Sequence, residues 1–207
     1  MTSSTAPTLE PMIAAAAQLH LAGQLSEAEG LYRQILVIDP RNADVLHLLG
    51  VVTLLTGRPA ATVDLMNRAI GVQPRNAAYH SLLGSALTEL GRFDDALKAH
   101  HAAVQWQPDF ASGWTGAAET LNHIASYDRA LVTADTAVRL DGGSPEAHYN
   151  RGVALDGLGR PSEAIGAYET ALRLRPDYAQ AFCSLGATHI RARRPPNRRA
   201  ARAQRPC

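Results

Sequence analysis

Apolar residues recur along this chain at helical rather than alternating spacing. Between Ala78 and Leu90, residues Leu82, Leu83, Ala86, Leu87 and Leu90 share one side of a helix, and between Asp94 and Gln105 residues Ala96, Leu97, Ala99, Ala103 and Val104 share another. Gly91 separates the two segments. Glycine accepts the left-handed backbone that residues with a Cβ avoid, so it predicts a helix stop there. Pro108 closes the pair by disfavouring helix in the residue before it. The pattern predicts a helix–turn–helix unit.

The unit repeats. Pro40, Pro74, Pro108 and Pro176 stand at multiples of 34 residues, with Gly142 at the missing step. A small-residue column runs Ala16, Gly50, Gly84, Ala118, Gly152, Gly186. A turn column runs Gly23, Gly57, Gly91, Ala125, Gly159. Two further columns are mostly alanine: Ala28, Thr62, Ala96, Ala130, Ala164, and then Ile35, Ala69, Ala103, Ala137, Ala171. Helices approach closely only where side chains are small, so Gly84 and Ala96 are expected to mark contacts between paired helices. A fixed period of this length is the mark of a solenoid, in which each repeat buries its apolar face against its neighbours.

These columns resemble the tetratricopeptide repeat, and Gly152 to Pro176 is nearly a copy of its consensus. The resemblance implies an all-α, right-handed superhelix of five helix–turn–helix repeats at 9–42, 43–76, 77–110, 111–144 and 145–178. A sixth first helix at 179–190 would cap the stack. Residues 1–8 and the arginine-rich tail 191–207 are expected to be disordered. Trp114 keeps the family's early aromatic, whereas His80 and His148 replace it. Thr62 and Gly142 each miss a column, which predicts looser packing in repeats two and four.

A net charge of +1 hides an asymmetry. Residues 1–190 carry thirteen basic and nineteen acidic side chains, net −6, whereas 191–207 carry seven arginines and no acid. Such a tail cannot bury a core. It could neutralise phosphates, but it lacks interleaved aromatics, and nucleic acid is not the expected partner. The register breaks abruptly inside the sixth repeat, which fits loss of an original continuation by truncation or a shifted frame. Cys183 and Cys207 offer neither a disulfide framework nor metal-ligand spacing. No secretory leader or membrane span is read from the sequence, and the expected compartment is the cytoplasm.

Candidate chemistry is sparse. His100 and His101 are adjacent, about 100° apart on a helix, which does not suit chelation. His100 takes the inward place held by Tyr32 and Tyr168. Asp94 and Asp95 open a helix, where negative charge suits the dipole. Gly157 and Gly159 lie in a turn with no preceding strand, unlike a phosphate-cradling loop. No catalytic constellation, cofactor site or metal site emerges, so the chain is not expected to be an enzyme.

What the resemblance implies instead is a concave groove lined by first helices and contacting extended peptides. Carried over by position, its residues are Asp44 and His47 in repeat two, and Ser81, Ser85, Thr88 and Glu89 in repeat three. Repeat four supplies Ser112, Thr115, Glu119, Asn122 and His123, and repeat five Glu146, Tyr149, Asn150, Val153 and Asp156. The set holds five carboxylates and no Lys or Arg, so it lacks the family's clamp for a terminal carboxylate. A non-catalytic scaffold for neutral or basic polypeptide follows. The alternative is a substrate-recruiting fragment of a protein O-linked N-acetylglucosaminyltransferase without its catalytic domain. In those enzymes an asparagine ladder grips substrate backbone, and here Asn150 alone matches a rung.

Overall fold

The computed structural model describes residues 9–193. The termini for which disorder is expected, 1–8 and 194–207, lie outside the described residues. Within them the chain is all α-helix, with eleven helices and no strand. They are α1 (Leu9–Leu21), α2 (Leu25–Ile38), α3 (Ala43–Leu55), α4 (Pro59–Val72), α5 (Ala77–Glu89), α6 (Phe93–Trp106), α7 (Ala111–His123), α8 (Tyr127–Leu140), α9 (Pro145–Gly157), α10 (Pro161–Leu174) and α11 (Ala179–Arg193). Odd-numbered helices are the first, and even-numbered the second, of each 34-residue unit.

The helix ends follow from the columns. Each second helix stops two residues before its closing Pro40, Pro74, Pro108, Gly142 or Pro176. First helices start from capping residues: the side chains of Asn42, Asn76 and Ser144 accept from the backbone N–H of Val45, Ala78 and Ala147 at 3.1, 3.0 and 3.2 Å. The turn glycines take positive φ, +71° at Gly91. Ala125 follows them at φ 54°, the left-handed conformation that a Cβ makes costly by roughly 1–2 kcal/mol. Ala125→Gly is therefore expected to raise stability by about 1 kcal/mol, read as a higher denaturant midpoint at unchanged slope.

The described residues form two compact units, divided between Thr120 and Leu121 and called here by the ranges 1–120 and 121–207. In the first, Tyr32, Ile35, Leu46, Leu49, Met66 and Tyr79 build an apolar core around Ala16, Ala28 and Ala69. In the second, Leu155, Ala164, Ala167 and Tyr168 form the core, with Tyr149, Val153 and Leu185 against it. The small column has a direct reason. A Cβ built on Gly152 would lie 2.5 Å from the Tyr168 ring, and one on Gly84 2.6 Å from the His100 imidazole. In repeats two, three and five, Met66, His100 and Tyr168 at the middle of the second helix thus occupy space that Gly50, Gly84 and Gly152 of the first helix leave open.

Two departures from the columns are accommodated differently from expectation. Thr62 is fully buried, yet its hydroxyl lies 2.8 Å from that of Thr53 and 3.2 Å from the Gly50 carbonyl, so the substitution is satisfied rather than loosening repeat two. Beyond Ile190, where the pattern fails, α11 continues to Arg193. Arg191, expected in the disordered tail, lies in that helix and binds Asp156.

Candidate functional site

The first helices determine which side chains are left for a ligand. In the unit 1–120, Asp44 is exposed in the first turn of α3, and one of its carboxylate oxygens accepts from the Tyr79 hydroxyl at 2.7 Å. Burial is the main reason the Tyr79 phenol is pushed well above its ordinary value, with the Asp44 contact adding to it. His47, half-buried, lies with its ring centroid 5.2 Å from that of Tyr79. Its pKa is lowered by burial, against an opposing pull from Asp44.

Glu89, Ser112 and Glu119 are exposed, and Ser85 and Thr115 are half-buried with hydroxyls donating to Ser81 and Ala111 carbonyls. Two expected groove residues of this unit do not reach solvent. Ser81 and Thr88 are each only 8% exposed. The Thr88 hydroxyl is used between helices, 2.8 Å from that of Thr120 on α7 and 3.0 Å from the Gly84 carbonyl.

In the unit 121–207, His123 is exposed and Asn122 half-buried, with the Asn122 amide donating to the Asn150 carbonyl at 2.9 Å. Asn150 is 4% exposed, so it too is corrected from groove surface to interior. Tyr149 lies between Tyr168 and Tyr178, with ring centroids 5.9 and 5.2 Å away, and Val153 packs on the same cluster.

The charge reading also changes. Glu146 is paired with Arg175, whose guanidinium lies 5.1 Å from the centre of the Tyr178 ring. Asp156 is paired with Arg191 and accepts from the Thr188 hydroxyl at 3.1 Å. Arg175 comes from the end of the same repeat, 29 residues after Glu146, and Arg191 from the next helix, 35 residues after Asp156. A list confined to first-helix positions of one repeat at a time does not find them. The Thr88–Thr120 and Asp156–Thr188 contacts share a 32-residue spacing, which is a polar counterpart of the apolar columns.

The histidines have structural work. The ring N–H of Trp114 donates to the Pro108 carbonyl at 2.9 Å. His80 Nε2 meets the Pro74 carbonyl at 2.8 Å, and His148 Nε2 the Gly142 carbonyl at 3.1 Å. A carbonyl only accepts, so both histidines carry a proton on Nε2 and fasten the preceding loop as Trp114 does. Among the described residues no group of three or more His, Cys, Asp or Glu could hold a metal ion. No helix there is long and apolar enough to cross a membrane.

Comparison with known proteins agrees with this geometry. Residues 145–178 match the family model of the tetratricopeptide repeat, and residues 22–103 that of anaphase-promoting complex, cyclosome, subunit 3. No curated protein matches. Among solved structures, TTC0263, a thermophilic tetratricopeptide-repeat protein of Thermus thermophilus, is 18% identical with a TM-score of 0.76, covering 88% of this chain and 100% of its own. YrrB, described as having an unusual peptide-binding site, is 22% identical with a TM-score of 0.60, covering 84% and 90%. MamA of Desulfovibrio magneticus RS-1 is 21% identical with a TM-score of 0.61, covering 72% and 85%. Identities this low speak to fold, and the fold is the one that the matched segment names. Residues 145–178 thus match a tetratricopeptide repeat by sequence, and the helical hairpins in the same 34-residue register share the fold of tetratricopeptide-repeat proteins.

Proposed function

We propose that this protein is a non-catalytic interaction scaffold that holds polypeptide segments against the exposed side chains of its first helices. The observation that carries the reading is the composition of that surface in the unit 1–120. Leu21 and Leu55, 88% and 64% exposed, end α1 and α3, while Asp44, Glu89, Ser112 and Glu119 are exposed on α3, α5 and α7. Apolar side chains and carboxylates left in water on these first helices suit a segment with apolar residues and neutral or basic charge. The peptide-binding site named for YrrB supports the same class of ligand. The preference is argued from Asp44 and Glu89 of the first unit, because Glu146 and Asp156 of the second already have arginine partners.

The glycosyltransferase-fragment reading draws on the opening segment 28–50 and on the one asparagine rung, Asn150, whose burial weakens that part of it. Turnover of UDP-N-acetylglucosamine on an acceptor peptide by the purified chain would overturn the non-catalytic assignment. For the scaffold itself, a peptide array is expected to favour basic over acidic sequences. Leu55→Asp should weaken the best peptide about tenfold, and Glu89→Lys should shift the array towards acidic sequences. An array insensitive to both changes contradicts the proposal.

A further inference from the structure

The two arginine-paired carboxylates of α9 differ in how firmly they are held. Asp156 is 16% exposed and accepts from the buried Thr188 hydroxyl as well as from Arg191. Glu146 and its partner Arg175 lie open to water, 42% and 44% exposed. An ion pair so exposed is weak, and breaking it costs a competing ligand at most about fivefold in affinity.

What surrounds the open pair is suited to a guanidinium. Arg175 lies over Tyr178, with 5.1 Å from the guanidinium carbon to the ring centre, while its Nη2 donates to Glu146 Oε1. The other carboxylate oxygen of Glu146 accepts from the Ser144 hydroxyl at 3.3 Å, which orients the group. The Tyr178 ring lies 5.2 Å from that of Tyr149, which lies 5.9 Å from the buried Tyr168, so the aromatic wall is anchored in the core. The Tyr178 backbone N–H donates to the Arg175 carbonyl at 3.2 Å and closes the turn that carries both residues. A planar guanidinium stacks on a ring while its edge bonds a carboxylate, a match that an ammonium lacks.

This combination belongs to one repeat. Where repeat five has Arg175, the earlier repeats have Asp39, Gln73, Gln107 and Asp141. One repeat length and its multiples before Tyr178 stand Ser144, Phe110, Asn76 and Asn42. The helical hairpins therefore pack without an arginine or a tyrosine at these places, and repeat packing does not account for the pair.

We infer that Glu146, Tyr178 and Tyr149 form a subsite for an arginine side chain of the bound polypeptide, which Arg175 occupies until that arginine displaces it. Arg175 is then a specificity-determining residue: a guanidinium replaces it with an equivalent set of contacts, and a lysine does not. That the arginine belongs to a polypeptide rests on the scaffold reading. The preference for a guanidinium rests on the geometry alone.

The probe is N-acetyl-L-arginine amide, titrated into the full chain with isotope-labelled tyrosine rings and followed by NMR. The ring signals of Tyr178 and Tyr149 should shift saturably, with an affinity about fivefold higher in Arg175→Gln than in the wild type. N-acetylcitrulline amide, of the same shape without the charge, should give no saturable shift, and Glu146→Gln should abolish the response to the arginine derivative. Circular dichroism should be unchanged in both variants. Absence of a saturable shift in both the wild type and Arg175→Gln overturns the inference. So does equal response to the arginine and citrulline derivatives, or equal affinity of the wild type and Arg175→Gln. None of these results touches the peptide preference argued for the first unit. Conversely, saturable binding of the arginine derivative beside a peptide array blank in both proteins would keep the subsite and sink the scaffold reading.

Discussion

Gly116→Ala is expected to lower the melting temperature, although adding a methyl group to a helical glycine ordinarily stabilises. The reason is the imidazole of His100. It is fully buried, and the new Cβ would come within 2.8 Å of Nε2 and closer still to Cε1. The ring cannot retreat, because Gly84 bounds it on α5, where a built Cβ lies 2.6 Å away. Overpacking of this kind costs about 3 kcal/mol, against a helix-propensity gain of about 1 kcal/mol. The net loss of about 2 kcal/mol corresponds to roughly 4–8 °C for a domain of this size.

Gly166→Ala on α10 is the matched control, since nothing lies within 4 Å of a Cβ built there. It should gain about 1 kcal/mol from propensity alone. One chemical change is thus expected to act with opposite sign at two helical glycines. In a double-mutant cycle His100→Ala should remove most of the penalty of Gly116→Ala, because the two groups clash with each other rather than with the stack at large. Equal melting temperatures for the Gly116 and Gly166 variants would refute this account.

The same neighbourhood shows how far the sequence could be read. Helices expected at 78–90 and 94–105 form at 77–89 and 93–106, and the small column marks where helices and side chains meet closely. These properties follow from local periodicity and backbone sterics, which a single sequence carries. His100 was also legible as an inward residue, from its register with Tyr32 and Tyr168. That neither of its ring nitrogens has a hydrogen-bond partner was not, since this depends on what Gly84 and Gly116 leave around the ring.

The candidate site was legible only in part, for a related reason. Ser81, Thr88 and Asn150 occupy first-helix positions that face neighbouring helices as much as solvent, and helical register alone does not separate the two. Arg175 and Arg191 reach back 29 and 35 residues to Glu146 and Asp156, so the two candidate groove carboxylates of the second unit are paired once the chain is folded. A search for opposite charges at about one repeat length, rather than within one helix, would have found both pairs.

Acid should destabilise the protein in two separable steps, of which His100 supplies the larger. Burial alone pushes its pKa from 6.5 down to about 4. Between those values the unfolded chain takes up the proton that the folded chain refuses. The stability is therefore fully present above pH 6.5 and is lost progressively as pH falls towards 4, on the order of 3 kcal/mol in all. Glu29 acts lower. Its hydrogen bonds with Arg58 are the main cause that holds its carboxyl at about 2 instead of 4.5, so its contribution is present above pH 4.5 and fades as pH falls towards 2. With the Arg58 side chain 40% exposed, solvent screening reduces that share to about 1 kcal/mol.

His100→Met separates the steps, because methionine already fills the equivalent place at Met66 over Gly50. Denaturant midpoints at pH 7, 5.5 and 4.5 should fall steeply for the wild type. For the variant they should fall only by the smaller share of His47, whose buried ring is also shifted down. At pH 7 the variant should be at least as stable, since it removes a buried N–H that has no acceptor, a cost of about 1–3 kcal/mol. Parallel pH profiles for the two proteins would mean that His100 is not the group that acid acts on.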